Sequence, residues 1–307
     1  MEKIKNYQHI VQYQKSLENK RAQCLTCSRK CIINDGSYGF CKTRINDGGT
    51  LYSINYGCIP AISNNPIEKK PLFHFHPGTF AITIGTYGCN FSCFWCQNHH
   101  LSHPHESIEQ LVRDKYNYYL PSDIIDLALK YGSHGTSVSF NEPTLLFEYS
   151  LELFKLAKEH SLYNTYVTNG YMTEEVLRDL AKAGLDAMNI DIKGDAEFYR
   201  RYCDADAEIV WQNAKLAREL GVHVEITTLL IEGFNTKPSV IDEISKRLAD
   251  ELGEYTPLHI TRAFPHYKSK KYGFNEPTSI VSLLRAYKIA RKNGLKFVYI
   301  KNLYSKF

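Results

Sequence analysis

The sequence is short of several things, and each shortage removes a class of explanation. No stretch comes near the ~18 uninterrupted apolar residues that a membrane span requires. The opening residues, MEKIKNYQHIVQYQKSLENKR, are polar and contain no apolar h-region, so secretion is not expected and the cytoplasm is the expected location. The net charge is only +4 and the basic residues form no long stripe, which disfavours nucleic-acid binding as the main role. There is no low-complexity stretch and no long flexible linker. With 43% apolar, 23% charged and 13% aromatic residues, the 307-residue chain is no disordered polypeptide. It is long enough for one large single-core barrel or two ordinary domains.

Cysteine is what the chain has in excess. Nine are present, and seven fall into two tight groups: Cys24, Cys27, Cys31 and Cys41, then Cys89, Cys93 and Cys96. A disulfide framework suits a small secreted domain. Clustered thiols in a reducing compartment more often bind metal, and a group of three leaves one over in any pairing scheme. Cys58 and Cys203 stand apart and read as buried small hydrophobes.

From about residue 81 the chain alternates short apolar runs with segments of three- and four-residue apolar spacing. The runs are AITIGT (81–86), TSVSF (136–140), TYVT (165–168), AMNIDIK (187–193), VEITTLLI (224–231), LHITRA (258–263) and KFVYI (296–300). Helices are expected at 122–132, 174–184 and 240–253, with Ser122, Thr173 and Ser239 as N-caps. Such alternation implies βα units and a parallel sheet with right-handed crossovers. The expected fold is α/β: a partial (β/α)6 TIM-like barrel over residues 81–307, with a C-terminal helix and strand. A small Cys-rich, metal-binding module over residues 1–80 precedes it, with a helical start, a strand at 50–57 and a strand-like stretch carrying His74 and His76.

In barrels of this kind, side chains just beyond the C-terminal strand ends face the site. Here those places hold Cys89, Asn141 with Glu142, Asn169 with Gly170, and Asp191 with Lys193. The first such loop, GCNFSCFWCQN, spaces its thiols Cys89-x3-Cys93-x2-Cys96. Three thiolates can grip three corners of a [4Fe–4S] cluster and leave the fourth iron open. Structural zinc wants four closed ligands, for which His99 or His100 is the available fourth. The other group, Cys24-x2-Cys27-x3-Cys31-x9-Cys41, suits either tetrahedral zinc or a fully ligated cluster, and spacing does not choose.

Over residues 81–263 these motifs together resemble the signature of radical S-adenosylmethionine (SAM) enzymes. The resemblance implies an oxidoreductase in which the open iron binds S-adenosyl-L-methionine. Reductive cleavage then yields methionine and a 5′-deoxyadenosyl radical that abstracts hydrogen from a substrate, here unidentified. It assigns cofactor-binding roles residue by residue. Trp95 lies against the adenine, and in SFNEPT (139–144) Glu142 holds the methionine amine with Asn141 as its neighbour. VTNG (167–170), with Thr168 and Asn169, resembles the Asp-Thr-Asn-Gly of glycyl-radical activating enzymes, except that Val167 replaces the acid. In DIK (191–193), Lys193 meets the substrate carboxylate as a point charge and Asp191 orients it. No catalytic residue is assigned.

Over roughly residues 22–303 the chain resembles more narrowly the radical enzyme of the AmmeMemoRadiSam system, often labelled a pyruvate formate-lyase activating-enzyme homologue. CLTCSRKCIINDGSYGFCKTRIN, NPIEKKPLFHFHPGT and TPLHITRAFPHYK carry that likeness, with Ser28 and Arg29 where family members commonly show Pro-His. It implies association with AMMECR-type and Memo-type proteins and a reduced electron donor such as ferredoxin or flavodoxin. Two alternatives compete: an activase that installs a glycyl radical, and a non-catalytic zinc-binding interaction protein. His259, Arg262, His266 and Tyr267 are candidates for the substrate end of the barrel, while Lys69 and Lys70 either attract an anionic substrate or are solvated surface.

Overall fold

The structure, a computed structural model, describes residues 9–113 and 117–303. Its first part is built from short strands: β1 (His9–Ile10), β2 (Gln14–Ser16), β3 (Ala22–Cys24), β4 (Ile32–Ile33), β5 (Arg44–Asp47) and β6 (Thr50–Ser53). They form two antiparallel three-stranded sheets, ordered β2-β3-β4 and β1-β6-β5. The expected helical start is therefore corrected from His9 onward, and residues 1–8 lie outside the described residues. His9–Ile10 pair with Ser53–Tyr52 and Gln14–Ser16 with Cys24–Ala22, so the backbone here bonds to other strands and not within a helix.

Seven parallel strands follow: β8 (Phe80–Gly85), β9 (Gly135–Val138), β10 (Tyr163–Thr168), β11 (Ala187–Asp191), β12 (His223–Leu230), β13 (Leu258–Arg262) and β14 (Val298–Lys301). They coincide with the seven apolar runs. Before them β7 (Ala61–Pro66) pairs antiparallel with β8, from Ala61 opposite Gly85 to Pro66 opposite Phe80. The sheet runs β14-β13-β12-β11-β10-β9-β8-β7; among the described residues these eight strands do not close on each other, which makes a partial barrel.

Helices cover the outer face. Glu174–Ala183 buries Val176, Leu177, Leu180 and Ala183, one apolar stripe, and ends at left-handed Gly184. Two expected caps are corrected. Pro121 and Pro238 open the helices Pro121–Lys130 and Pro238–Arg247, so Leu120 and Lys237 stand at the caps and Ser122 and Ser239 lie inside. Proline's fixed φ and missing N–H suit the first helical position. Thr173 does stand at a cap, but its hydroxyl donates across to the Leu25 carbonyl at 2.9 Å. Among the described residues, no helix is long and apolar enough to cross a membrane.

The segment between β7 and β8 is not the strand expected around His74 and His76. It forms a short 3-10 turn, Ile67–Lys69, and then irregular chain. His76 adopts φ 45°, a left-handed conformation no strand contains, with its ring stacked on Tyr163. Ile67 and Leu72 pack on Ala81, Tyr163 and Ala187, which begin β8, β10 and β11. The segment thus plugs the N-terminal mouth of the barrel. Glu225, fully buried in β12, fastens it by accepting hydrogen bonds from the Phe73 and His74 backbone N–H groups at 3.0 and 2.7 Å. His223 and His259 bond the same carboxylate at 3.1 and 2.7 Å. His259 is therefore a barrel-floor residue, which corrects its expected place at the substrate end.

Candidate active site

Gly88 brings the two cysteine groups together. It lies at φ +90°, and a Cβ there would stand 2.6 Å from the Cys41 carbonyl oxygen. Asn141 braces the same turn: its Oδ1 accepts from the Thr86 N–H at 3.0 Å and its Nδ2 donates to the Gly88 carbonyl at 2.8 Å. From this turn Cys89, Cys93 and Cys96 line a cavity of about 570 Å³ at the C-terminal strand ends. Trp95, Asn141, Glu142, Thr168, Asn169, Asp191 and Lys193 line it too, so every expected cofactor-binding residue reaches one place.

Cys93 is buried, and Cys89 and Cys96 are half-buried at the cavity wall. Burial pushes Cys89 well above its ordinary pKa, with Glu142 adding to the rise, and takes Cys96 up to about 11, with help from Cys93. Cys93 is held below the ordinary value, chiefly by its contact with the Cys203 thiol and also by the Lys193 charge. Three soft donors on one loop, facing one cavity with a cation beside them, fit the ligand set of an iron–sulfur cluster. Among the described residues no group of three His, Cys, Asp or Glu side chains is placed to hold a single metal ion. His99 stacks on Tyr267, 5.2 Å between ring centroids.

Glu142 ties two strand ends to each other. Its Oε1 accepts from the Thr144 N–H at 3.0 Å, the Thr144 hydroxyl at 2.6 Å and the Thr168 hydroxyl at 2.7 Å. Oε2 accepts from the Asn169 N–H at 2.9 Å. Burial still leaves its pKa raised, against the pull of those donors. Asn169 continues the chain of contacts, donating from Nδ2 to Asn90 Oδ1 at 2.7 Å and so binding the end of β10 to the cysteine loop. Lys193 Nζ lies 2.8 Å from Asp191 Oδ2. Burial works against the lysine charge, but Asp191 and Cys93 outweigh it and hold its pKa well above the ordinary value. Trp95 packs edge-on against Phe94 and tilted against Phe198.

The four-cysteine group is assembled as a group. Burial raises the Cys27 thiol, and Cys24, Cys41 and Cys31 all lie close enough to raise it further. It docks on the turn after β10: the Ser28 N–H donates to the Tyr171 carbonyl and the Ser28 hydroxyl to the Met172 carbonyl, each at 3.0 Å. Arg29 clamps the neighbouring loops, donating to the Asn90 carbonyl and to Asp204 at 2.9 Å, with its guanidinium 3.6 Å from the Phe40 ring centroid. Arg44 and Glu148 form a buried ion pair at 2.9 Å between this region and the helix Phe147–Glu159.

Other candidates move. Arg262 donates to the Thr278 and Leu303 carbonyls, and so pins the C-terminal segment instead of facing the substrate end. Tyr267 lines a second cavity of about 580 Å³, shared with Cys41 and Cys89. His266 is not among the residues lining either cavity. Lys69 and Lys70 line the main cavity, and Lys70 is buried where it could have been solvated surface. Cys203, read as a buried hydrophobe, is buried but stands 4.0 Å from Cys93. Thr227 carries no sequence signal, yet it lines the main cavity.

Residues 83–242 match the family model described as Radical SAM superfamily. The chain is 39% identical over 293 residues to the uncharacterized protein MJ0808 of Methanocaldococcus jannaschii, covering 95% of this chain and 84% of that one. It is 30% identical over 172 residues to a putative glycyl-radical enzyme activating enzyme of the same organism, 54% of this chain and 60% of that one. Among solved structures, Streptococcus suis SuiB bound to S-adenosylmethionine aligns with a TM-score of 0.54 at 15% identity, over 72% of this chain and 51% of that one. A radical SAM methyltransferase from Sphaerobacter thermophilus aligns with a TM-score of 0.54 at 14% identity, over 74% and 67%. These two share the fold. Family model, fold and cysteine loop agree: the chain belongs to the radical SAM superfamily.

Proposed function

We propose that this protein holds a [4Fe–4S] cluster on Cys89, Cys93 and Cys96, cleaves S-adenosylmethionine reductively, and abstracts hydrogen from a small-molecule substrate. The convergence of three thiols, an acid, an ion pair and an indole on one cavity carries this reading. When bound, the cluster and S-adenosylmethionine supply one-electron chemistry strong enough to break an unactivated C–H bond. The chain's own residues bind and orient. Lys193 keeps its charge beside the cysteine loop and is suited to a carboxylate, with Asp191 fixing its position. Glu142, held rigid by Thr144, Thr168 and Asn169, offers its carboxylate to an ammonium group. Trp95 offers a flat apolar wall for the adenine.

The reading extends to the rest of the chain. The Cys-rich region, residues 1–80, carries a second metal site on Cys24, Cys27, Cys31 and Cys41, zinc or iron–sulfur. The reductant is a ferredoxin or flavodoxin in the cytoplasm, and AMMECR-type and Memo-type proteins are the candidate partners. A second reading, a glycyl-radical activase, draws support from the activating-enzyme relative.

Anaerobic reconstitution, iron and sulfide assay, and incubation with S-adenosylmethionine and dithionite test the proposal. The reconstituted chain releases 5′-deoxyadenosine, and Cys93→Ser loses both the cluster and the product. A reduced chain with a verified cluster that releases none overturns it. Deuterium carried into 5′-deoxyadenosine from a labelled metabolite extract supports direct action on a small molecule, whereas a protein glycyl radical seen by electron paramagnetic resonance with a candidate partner supports the activase.

A further inference from the structure

Lys70 is a charge in the cavity that the proposed chemistry does not use. It follows the 3-10 turn Ile67–Lys69 in the plug at the barrel floor, is 6% exposed, and lines the same cavity as the three thiols. Among the described residues no carboxylate or hydrogen-bond acceptor meets its ammonium group, which lies 4.9 Å from the centroid of the Phe140 ring. Burial and the neighbouring Lys69 lower its pKa to about 8. The other charges lining the cavity have partners: Lys193 has Asp191, and Glu142 has Thr144, Thr168 and Asn169. Lys69 bonds Asn65 at 3.3 Å.

A second group points the same way. Thr227 of β12 lines the cavity at 7% exposure, and its Oγ1 is buried without a hydrogen-bond partner. An enclosed ammonium and a buried hydroxyl are both costly to leave without an acceptor. Both line the same cavity, so an oxyanion bound between them would supply an acceptor to each. Lys193 stands beside Cys93 and Cys96, whereas Lys70 reaches the cavity from the plug.

We infer that Lys70 and Thr227 form an oxyanion subsite in the main cavity, and that the substrate is a small molecule bearing a carboxylate or a phosphate. The substrate assignment rests on the proposed radical reaction; the subsite itself does not. Held by its anionic end, such a molecule presents its remaining carbons toward the cysteine loop, where hydrogen abstraction would occur.

Pyridoxal 5′-phosphate, an aldehyde that carries a phosphate, is the probe. Its aldehyde condenses with a free amine, releasing water, and hydride from borohydride reduces the imine to a stable secondary amine. The full chain is labelled at pH 7.5 and mapped by peptide mass spectrometry. Lys70 is expected to label at least tenfold faster than the median lysine. Inorganic phosphate or succinate at millimolar concentration slows that labelling at least fivefold, and sodium chloride at equal ionic strength does not. The more effective of the two anions identifies a phosphate or a carboxylate substrate. Thr227→Val weakens the protection, and Lys69→Ala leaves Lys70 the fast-labelling residue. Labelling of Lys70 no faster than the median, equal protection by chloride, or protection by S-adenosylmethionine alone overturns the subsite. The assay needs neither cluster nor turnover, while 5′-deoxyadenosine release reads the radical reaction separately, so either can fail without the other.

Discussion

The thiol of Cys203 lies 4.0 Å from that of Cys93, although 110 residues separate them in the chain. Cys203 ends the π-helical turn Tyr199–Cys203, which follows the Asp191–Lys193 strand end, and it is fully buried. The contact adds a fourth thiol to the neighbourhood of the cysteine loop.

That proximity gives a redox prediction. In the metal-free chain, diamide accepts two electrons and two protons as Cys93 and Cys203 join, the sulfurs closing to about 2.0 Å. A non-reduced digest should contain the Cys93–Cys203 cross-linked peptide. Reconstituting the cluster first should remove it, because Cys93 is then engaged. Cross-linking that is equally strong before and after reconstitution would show that Cys93 is not a cluster ligand.

Arg29 sets the second prediction. Its guanidinium joins the four-cysteine region to the Asn90 carbonyl, and to the Cys203 and Asp204 carbonyls at 3.2 and 2.9 Å. Hydrogen bonds from charged groups contribute about 1.5–3 kcal/mol, whereas the Asp204 side chain, 71% exposed, adds little as an ion pair. Arg29→Ala should lower the unfolding free energy by about 2–3 kcal/mol in urea titrations. Arg29→Lys should recover less than half, since an ammonium cannot reproduce the planar fork. Both variants should hold less iron per chain than the parent.

The barrel floor has its own pH signature. Burial would raise the Glu225 pKa, but hydrogen bonds from His223, His259 and the His74 and Phe73 N–H groups bring it down to about 2. Because the folded value lies below the unfolded 4.5, the stabilisation is complete above about pH 5 and fades as pH falls toward 2. Glu225→Gln should therefore destabilise the apo chain by about 3 kcal/mol at pH 7 and by much less near pH 3. Urea unfolding at the two pH values measures the difference. An equal loss at both would mean that the carboxylate charge is not what fastens the plug.

Much of this architecture was legible because parallel strands covered on both faces read as apolar runs; Ile82, Ile84, Met188 and Ile190 are all buried. The strand-end motifs were legible for a related reason, since a barrel brings strand ends to one place whatever their separation in sequence. The β7 strand was not legible: Ala61–Pro66 reads AISNNP, half-buried throughout, and its proline is tolerated because the strand lies at an edge. Nor was the burial of Lys70, because two adjacent lysines ordinarily mark a surface and only the folding of 67–79 into the barrel mouth encloses one of them. The contact between Cys203 and Cys93 has no spacing rule behind it; it arises from the turn after β11.

Gly88 offers the sharpest test of how the two cysteine groups depend on each other. At φ +90° any side chain is strained, a penalty of about 1–3 kcal/mol by itself. Here an added Cβ would also stand 2.6 Å from the Cys41 carbonyl and 2.8 Å from the Thr43 methyl, so the four-cysteine loop has to retreat. Gly132 makes the control: it has φ +62°, but nothing lies within 4 Å of a Cβ built on it. If conformational strain were the whole effect, Gly88→Ala and Gly132→Ala would lower the melting temperature by similar amounts and leave metal content alone. The close approach of the loops predicts otherwise. Gly88→Ala should lose several-fold in iron retained after reconstitution while its far-ultraviolet circular dichroism stays that of the parent, and Gly132→Ala should retain full iron. The loss follows because the backbone that must yield to the new methyl group leads directly into Cys89 on one side and into Cys41 on the other.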